Sequence, residues 1–373
     1  MTIRSVMVTQ LRSHVHAKLE CARDITILSG PNGSGKTSIL EAISLCSIGK
    51  TFVPVQDVAL IREGSETCSA KVEAVSDLQV PYRVGVEVQE GVRKKISNTH
   101  GSNVSVKELI GELPVVSLSP DHKSITLGSP SDRRAFVDAV MAQCSKRYTA
   151  LLFDLRKVLK QRNALLAAHG QMDRSEFNAW TQKFIDVGAE IVQRRAEFLK
   201  ELVPLVQEEY ASITGKAEDI DITYEPDGIP TQEANADLIR IAELLTQQWK
   251  TVEQREEIRE TTMFGPQRDN IDLLINGRSV RSTASQGQHK SLLIALKLAE
   301  CRVLEQQRKE RPIVLLDDVF AELDEFRSAG VLQRILHLGM QCFISTTNGA
   351  DLERHLPQNS ELKVGTIVFG SAA

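Results

Sequence analysis

Residues 29–45 read SGPNGSGKTSILEAISL. Within them Gly30, Pro31, Asn32, Gly33, Ser34, Gly35, Lys36 and Thr37 fit the pattern GxxxxGK[ST], with a strand-like DITIL (24–28) before it and an apolar-periodic helix after it. The glycines let backbone N–H groups close around phosphate oxygens, and the following helix N-terminus adds a favourable potential. Lys36 is therefore expected to reach the β and γ phosphates of a nucleoside triphosphate. Thr37 is expected to place its hydroxyl on a magnesium ion, with Ser38 next to it in the nucleotide-binding set.

A phosphate loop needs a carboxylate on a neighbouring strand to orient the metal. PIVLLDDVFAELD supplies Asp317 after four consecutive apolar residues, and Asp318, one position later, is placed to polarise the attacking water. Lys36 and Asp318 are thus the candidate catalytic pair, and Thr37 and Asp317 the candidate magnesium ligands. Just upstream, Ser285, Gln286, Gly287 and Gln288 open a helix whose apolar residues Leu292, Leu293, Leu296 and Val303 share a face. Its free N–H groups make either a second anion site or an ordinary capped helix start.

The remainder of the chain bounds these readings. At 373 residues and 42% hydrophobic content the protein can hold two or three compact units. Six cysteines lie far apart with no CxxC pair, so neither a zinc cage nor a disulfide framework is expected. No secretory leader and no apolar run of membrane-spanning length is found, which predicts a cytoplasmic protein without a membrane partner. With 45 Lys and Arg against 49 Asp and Glu, any polyanion must meet a local basic patch.

Along the chain, SAKVEAV (69–75), YRVGVEV (82–88) and VRKKIS (92–97) alternate like strands. From Ser131 the period becomes helical, with two long helices joined near Gly170 over about 70 residues, so each arm of the hairpin should reach on the order of 50 Å at most. A helix is expected over 237–260, a hairpin around Asn276-Gly277, and strands at 312–318 and 341–347. These elements predict a discontinuous nucleotide-binding lobe, 1–112 and 262–373, around an inserted, mostly helical lobe, 113–261.

The order of these motifs is similar to that of ABC-type ATPase heads, in which SQGQ stands where transporters carry LSGGQ. The blocks SPDHKSITLGSPSDRRAFVD (119–138), LKQRNALL (159–166), GPQRDNIDLLING (265–277) and LLDDVFAELDEFR narrow the resemblance to the SMC-like recombination mediators of bacteria, over nearly the whole chain. The resemblance implies an α/β P-loop ATPase head with mixed sheets, an inserted helical lobe and no long coiled coil. It further implies a homodimer closed by ATP, in which Ser285, Gln286, Gly287 and Gln288 of one chain reach the nucleotide held by the other, and Asp324 crosses the interface. By the same resemblance Arg12 touches the α-phosphate or is a plain surface arginine. The implied partners are double-stranded and gapped DNA, RecR, RecO and RecA. The implied role is recombinational repair, replication-fork maintenance and the SOS response, with weak, DNA-stimulated ATP hydrolysis.

This chain also departs from that family. Val53 and Pro54 stand where arginine and threonine are usual, and Gln267 replaces a histidine. Thr346 and Thr347 occupy the place of a transporter's switch histidine, which argues against a transporter subunit. An ATP-gated switch acting on protein alone is the competing class. Asp318 stands where faster members carry glutamate; its shorter side chain predicts slow hydrolysis. The basic candidates for DNA are Arg133, Arg134, Lys157, Lys160 and Arg162, with solvated faces or lobe-linking roles as the other readings. His14, His16 and His100 read as surface residues, and Trp180, Phe184 and Phe198 as lobe core.

Overall fold

The computed structural model describes residues 1–53, 55–168, 173–215, 218–322, 325–349, 352–353, 356 and 362–370. In chain order its first strands and helices are β1 (Thr2–Leu11), β2 (His14–Glu20), β3 (Ile25–Ser29), α1 (Lys36–Ile48), β4 (Thr67–Val75), β5 (Pro81–Gln89), β6 (Val92–Asn98), α2 (Val106–Leu109) and β7 (Val115–Leu118). The helical stretch holds α3 (Ser124–Leu127), α4 (Pro130–Cys144), α5 (Lys146–Leu166), α6 (Arg174–Thr214), β8 (Ile220–Glu225) and α7 (Leu238–Arg259). The chain ends through β9 (Asn270–Ile275), β10 (Arg278–Ser279), α8 (Val280–Thr283), α9 (Gln286–Arg308), β11 (Ile313–Asp317), α10 (Glu325–His337), β12 (Cys342–Thr346) and β13 (Val364–Val368).

Two compact units result. The first comprises Met1–Lys123, Glu209–Lys216 and Lys290–Ala373. It carries an antiparallel sheet in the order β2-β1-β4-β5-β6 and a parallel sheet in the order β13-β3-β12-β11-β7. The alternation predicted over 69–97 is the pleat of the antiparallel sheet: in β4 and β5 every second residue, including Cys68, Ala70, Val72, Val84, Val86 and Val88, is buried. The inner parallel strands are buried on both faces, as IVLLD of β11 shows along its whole length, while β13 at the sheet edge is exposed or half-buried throughout. Helix α1 lies in a core shared with both sheets, so every residue from Ser38 to Ser47 is buried and no polar stripe is left.

The second unit comprises Ser124–Glu208 and Ala217–His289. It contains α4, α5, most of α6, α7 and the three-stranded antiparallel sheet β10-β9-β8. The hairpin expected at Asn276-Gly277 is the β9–β10 turn, with Asn276 at φ 52° and Gly277 at φ 72°.

The unit boundaries differ from those expected. Residues 113–123 stay with the nucleotide-binding unit because β7 pairs with β11 at the edge of the parallel sheet. Residues 262–289 go with the helical unit because β9 pairs with β8 over six residues. The single-sequence pattern hides β7, which has four residues, and β8, which is squeezed between a long helix and a Pro-Asp-Gly loop. Helix α6, at 41 residues, is about 60 Å long, beyond the expected arm, because the helix runs on unbroken to Thr214.

Candidate nucleotide site

The phosphate loop leaves the carboxyl end of β3, and β12 and then β11 lie beside it in the parallel sheet, with Ser345 in register with Leu28 and Asp317 in register with Ser345. Ligand sites of open α/β sheets form at such strand ends. Gly33 at φ 80° and Gly35 at φ 95° take left-handed backbone that turns the loop onto α1, whose first residue is Lys36. A side chain at Gly35 would also collide with Ser13 and His14, because the β1–β2 turn rests against the loop.

Lys36 is buried and its Nζ donates to the carbonyls of Gly30 at 2.8 Å and Pro31 at 2.9 Å. An ammonium out of water needs such partners. Thr37 Oγ1 donates to Asp317 Oδ1 at 2.9 Å, and Ser345 Oγ donates to the same oxygen at 2.6 Å. Burial pushes the Asp317 carboxyl above its ordinary range, and the hydrogen bonds from Ser345 and Thr37 oppose that rise.

Asp318 sits at φ 49°, a left-handed conformation that is unfavourable for a residue with a Cβ. Its N–H donates to Ser345 Oγ at 3.0 Å, while its half-buried carboxylate has no hydrogen-bond or ion-pair partner among the described residues. A carboxylate without a partner, next to the candidate metal-ligand residue Asp317, can accept a proton from water.

Arg12 follows β1 at φ 49°, and its Nη2 pairs with the buried Glu41 of α1 at 2.6 Å. Two residues on, the His14 ring hydrogen-bonds the Gly35 carbonyl at 3.0 Å and meets Phe369 edge-on with centroids 5.8 Å apart. His14 is half-buried against the phosphate loop instead of lying free on the surface. Spacing in sequence carried no sign of this, since the contact is made by a hairpin turn. Ser345, one residue before the end of apolar β12, likewise carries no local sequence signal of its bond to Asp317.

In the other unit, Ser285 caps α9: Gln288 N donates to Ser285 Oγ at 3.2 Å, and Ser285 N donates to Gln288 Oε1 at 2.8 Å. This reciprocal pair is a capping box with glutamine at the third helical position. Ser285 and Gln286 are exposed, and Gly287 and Gln288 half-buried. Asp324 and Pro54 lie outside the described residues.

Two of the DNA candidates are corrected. Arg162 has no exposed surface: it is bonded to Glu256 at 3.0 and 3.3 Å, to Thr262 at 2.8 Å and to Thr181 at 3.0 Å, under the rings of Phe177, Phe184 and Phe264. Arg133 is 4% exposed and bonds the carbonyls of Ile271 and Gly128. Neither reaches a phosphate backbone, because each is spent on satisfying buried acceptors. Arg134 is half-buried and donates to the Asp269 carbonyl, whereas Lys157 and Lys160 are exposed. Phe184 and Phe198 are core as expected, but Trp180 is half-exposed.

Comparison with known proteins agrees with this architecture. Residues 2–363 match the RecF/RecN/SMC N-terminal domain family. The DNA replication and repair protein RecF of Prosthecochloris aestuarii is 35% identical over 350 residues, covering 93% of this chain and 94% of that protein. The chain belongs to the RecF family. RecF of Symbiobacterium thermophilum is 30% identical over 376 residues, covering 99% of this chain and 98% of its own length. A solved structure of the recombination mediator protein RecF with ATP, from the RecFOR pathway, superposes with a TM-score of 0.87 at 27% identity, covering 94% of this chain and 93% of that one. An SMC head bound to the C-terminal winged-helix domain of ScpA shares the fold, at a TM-score of 0.54 and 14% identity. The expected ABC-type, SMC-like head with mixed sheets is therefore the fold of this RecF-family ATPase. Among the described residues no helix is long and apolar enough to cross a membrane.

Proposed function

We propose that this RecF-family chain is an ATP-dependent DNA clamp of recombinational repair and replication-fork maintenance. Two copies close on two molecules of ATP, the closed dimer holds DNA at gaps or single-to-double-strand junctions, and RecO, RecR and RecA are its partners. Slow hydrolysis, stimulated by DNA, reopens it in the cytoplasm. The observation that carries this reading is the hydrogen-bonded chain Thr37–Asp317–Ser345 at the strand ends beside the phosphate loop, with the unpartnered Asp318 next to it.

Each side chain has a task in that scheme. Lys36 exchanges its two loop carbonyls for β and γ phosphate oxygens, and the loop N–H groups of Gly33 to Ser38 surround the phosphates. Arg12, tethered by Glu41 on the side of α1, is the candidate for the α-phosphate. The donor set suits magnesium: Thr37 and Asp317, two hard oxygens 2.9 Å apart, would hold the ion. When bound, the ion neutralises charge on the phosphates. Asp318 accepts a proton from the attacking water, and its short side chain keeps turnover slow. The exposed Ser285 cap, with Gln286 and Gly287, is available to the γ-phosphate held by a second copy, and Asp324 to the seam between copies. Arg134, Lys157 and Lys160 remain the DNA candidates.

Light scattering on Asp318→Asn tests the reading. With saturating ATP and magnesium this variant should run as a stable dimer, because binding is intact and turnover stalls, while Lys36→Met should stay monomeric. A monomeric Asp318→Asn protein that still binds ATP would refute the sandwich.

A further inference from the structure

At the amino ends of the parallel strands, a recess of about 550 Å³ opens at the far end of β3 from the phosphate loop. Its walls include Arg4, Arg23, Asp24, Asp77, Gln79 and Arg311. Five residues of β3, about 16 Å of extended chain, separate Asp24 from the start of the loop. Nothing in the ATP reading uses this recess.

Its charge is unbalanced in one direction. Asp77 Oδ2 already accepts from the Arg311 backbone N at 3.1 Å and from Arg311 Nε at 3.3 Å, and Asp24 Oδ2 accepts from Lys363 N at 2.8 Å. Arg4 and Arg23 are exposed and have no side-chain partner among the described residues. Arg4 is there by construction: the β1–β4 register shifts between Ile3 and Ser5, leaving Arg4 as the extra residue of a β-bulge. Bulges re-aim side chains in this way.

The turn that supplies Asp77 and Gln79 also presents Leu78, 84% exposed, and Val80, 59% exposed. Two partnerless guanidinium groups in the recess, and exposed aliphatic residues on the turn that forms one of its walls, match a ligand that is anionic with an apolar residue a few positions away. A nucleic acid backbone fits less well, since it needs a longer basic track than two arginines.

We propose that this recess binds an acidic segment of a partner protein, with Asp or Glu carboxylates on Arg4 and Arg23 and an adjoining aliphatic or aromatic residue on Leu78 and Val80. The surface is independent of the nucleotide site and would serve whether or not the clamp reading holds.

Panning a random dodecapeptide library on the full-length protein, with counter-selection on the Arg4→Glu/Arg23→Glu variant, tests it. The enriched peptides should carry Asp or Glu next to Leu, Ile or Phe. The best of them, made with a fluorescein label, should lose at least tenfold in affinity for the double variant and about threefold for Leu78→Ser. ATP binding and melting temperature should match wild type in both variants, which separates loss of the site from loss of the fold. A library with no acidic enrichment, or a labelled peptide that binds the double variant equally, would overturn the proposal. So would displacement of that peptide by a single-stranded oligonucleotide at equal concentration, which would assign the recess to nucleic acid. Inorganic phosphate at about tenfold excess over peptide makes no apolar contact and should leave binding unchanged; full displacement by it would reduce the site to a simple anion hole and also overturn the proposal.

Discussion

Arg162 and Arg12 are both arginines read from sequence as contacts to a ligand, and both are held by buried carboxylates. Arg162 and Glu256 have no exposed surface at all, so deleting one leaves the other charged, buried and alone. Breaking such a pair costs about 3–5 kcal/mol, and Arg162→Ala should lower the stability read by urea denaturation by about that amount. Arg162→Met with Glu256→Gln should recover more than half of the loss, because both charges then leave the core together. Arg12 is a third exposed, so the smaller figure of about 2 kcal/mol is expected for Arg12→Met. That loss should depend on pH, with a sign fixed by Glu41. Burial already raises the Glu41 carboxyl, and Arg12 is what opposes it. Without Arg12 the carboxyl rises further, and a raised folded-state value favours the neutral acid: its stabilising share is complete below the unfolded value and lost as pH climbs through the folded one. Arg12→Met should therefore melt close to wild type at pH 4 and well below it at pH 7.5, and adding Glu41→Gln should remove the pH dependence. A deficit that is constant across that range would place Glu41 outside the pair's electrostatics.

Ser285 poses a question at the level of the element, because the helix needs it whatever the dimer does. Its hydroxyl and the Gln288 amide satisfy two backbone donors at the start of α9. Loss of an N-cap costs about 1 kcal/mol, and aspartate caps as well as serine. Ser285→Ala should thus melt lower, whereas Ser285→Asp should melt like wild type. If the same residue also meets a partner's γ-phosphate, the aspartate brings like charges together, and dimerisation with ATP should be abolished in a fully stable protein. Sedimentation with ATP separates the two roles; a Ser285→Asp variant that dimerises normally would leave Ser285 as a cap alone. The same duality explains what could be read from the chain. GPNGSGKT, the VLLDD strand and the SQGQ helix start are local patterns, with causes inside a few residues, and they were legible. His14 on the Gly35 carbonyl, Glu41 under Arg12 and Ser345 on Asp317 join elements far apart in sequence, and no periodicity records them. The burial of Arg133 and Arg162 was illegible for the same reason: a basic run on a helix looks alike whether its arginines face water, backbone carbonyls or a carboxylate on another helix. Strand β7, with four residues, carries too few alternations to stand out, and β8 is masked by the helix before it and the Pro-Asp-Gly loop after it.

For the whole molecule, the slight excess of acid over base constrains how DNA can be held. A single chain with net charge −4 repels a duplex at long range, and the exposed candidates Lys157 and Lys160 are only two charges. Pairing two chains doubles whatever basic surface each presents to one groove, so DNA affinity should follow dimerisation and hence ATP. Each phosphate neutralised contributes a slope of about −0.9 to the log–log dependence of affinity on salt. Asp318→Asn with ATP and magnesium should therefore bind a gapped duplex with a steep salt dependence, and the nucleotide-free protein should bind weakly with a shallow one. Lys157→Glu/Lys160→Glu should flatten the slope in the ATP state by about four units, two from each copy, while leaving dimerisation intact, since neither residue belongs to the nucleotide site. Fluorescence anisotropy across 50–300 mM salt reads both quantities. Equal slopes with and without ATP would mean that DNA is held by one chain, and the clamp would have to be replaced by a nucleotide-independent binder; an unchanged slope in the double variant would move the contact off α5 without touching the dependence on ATP.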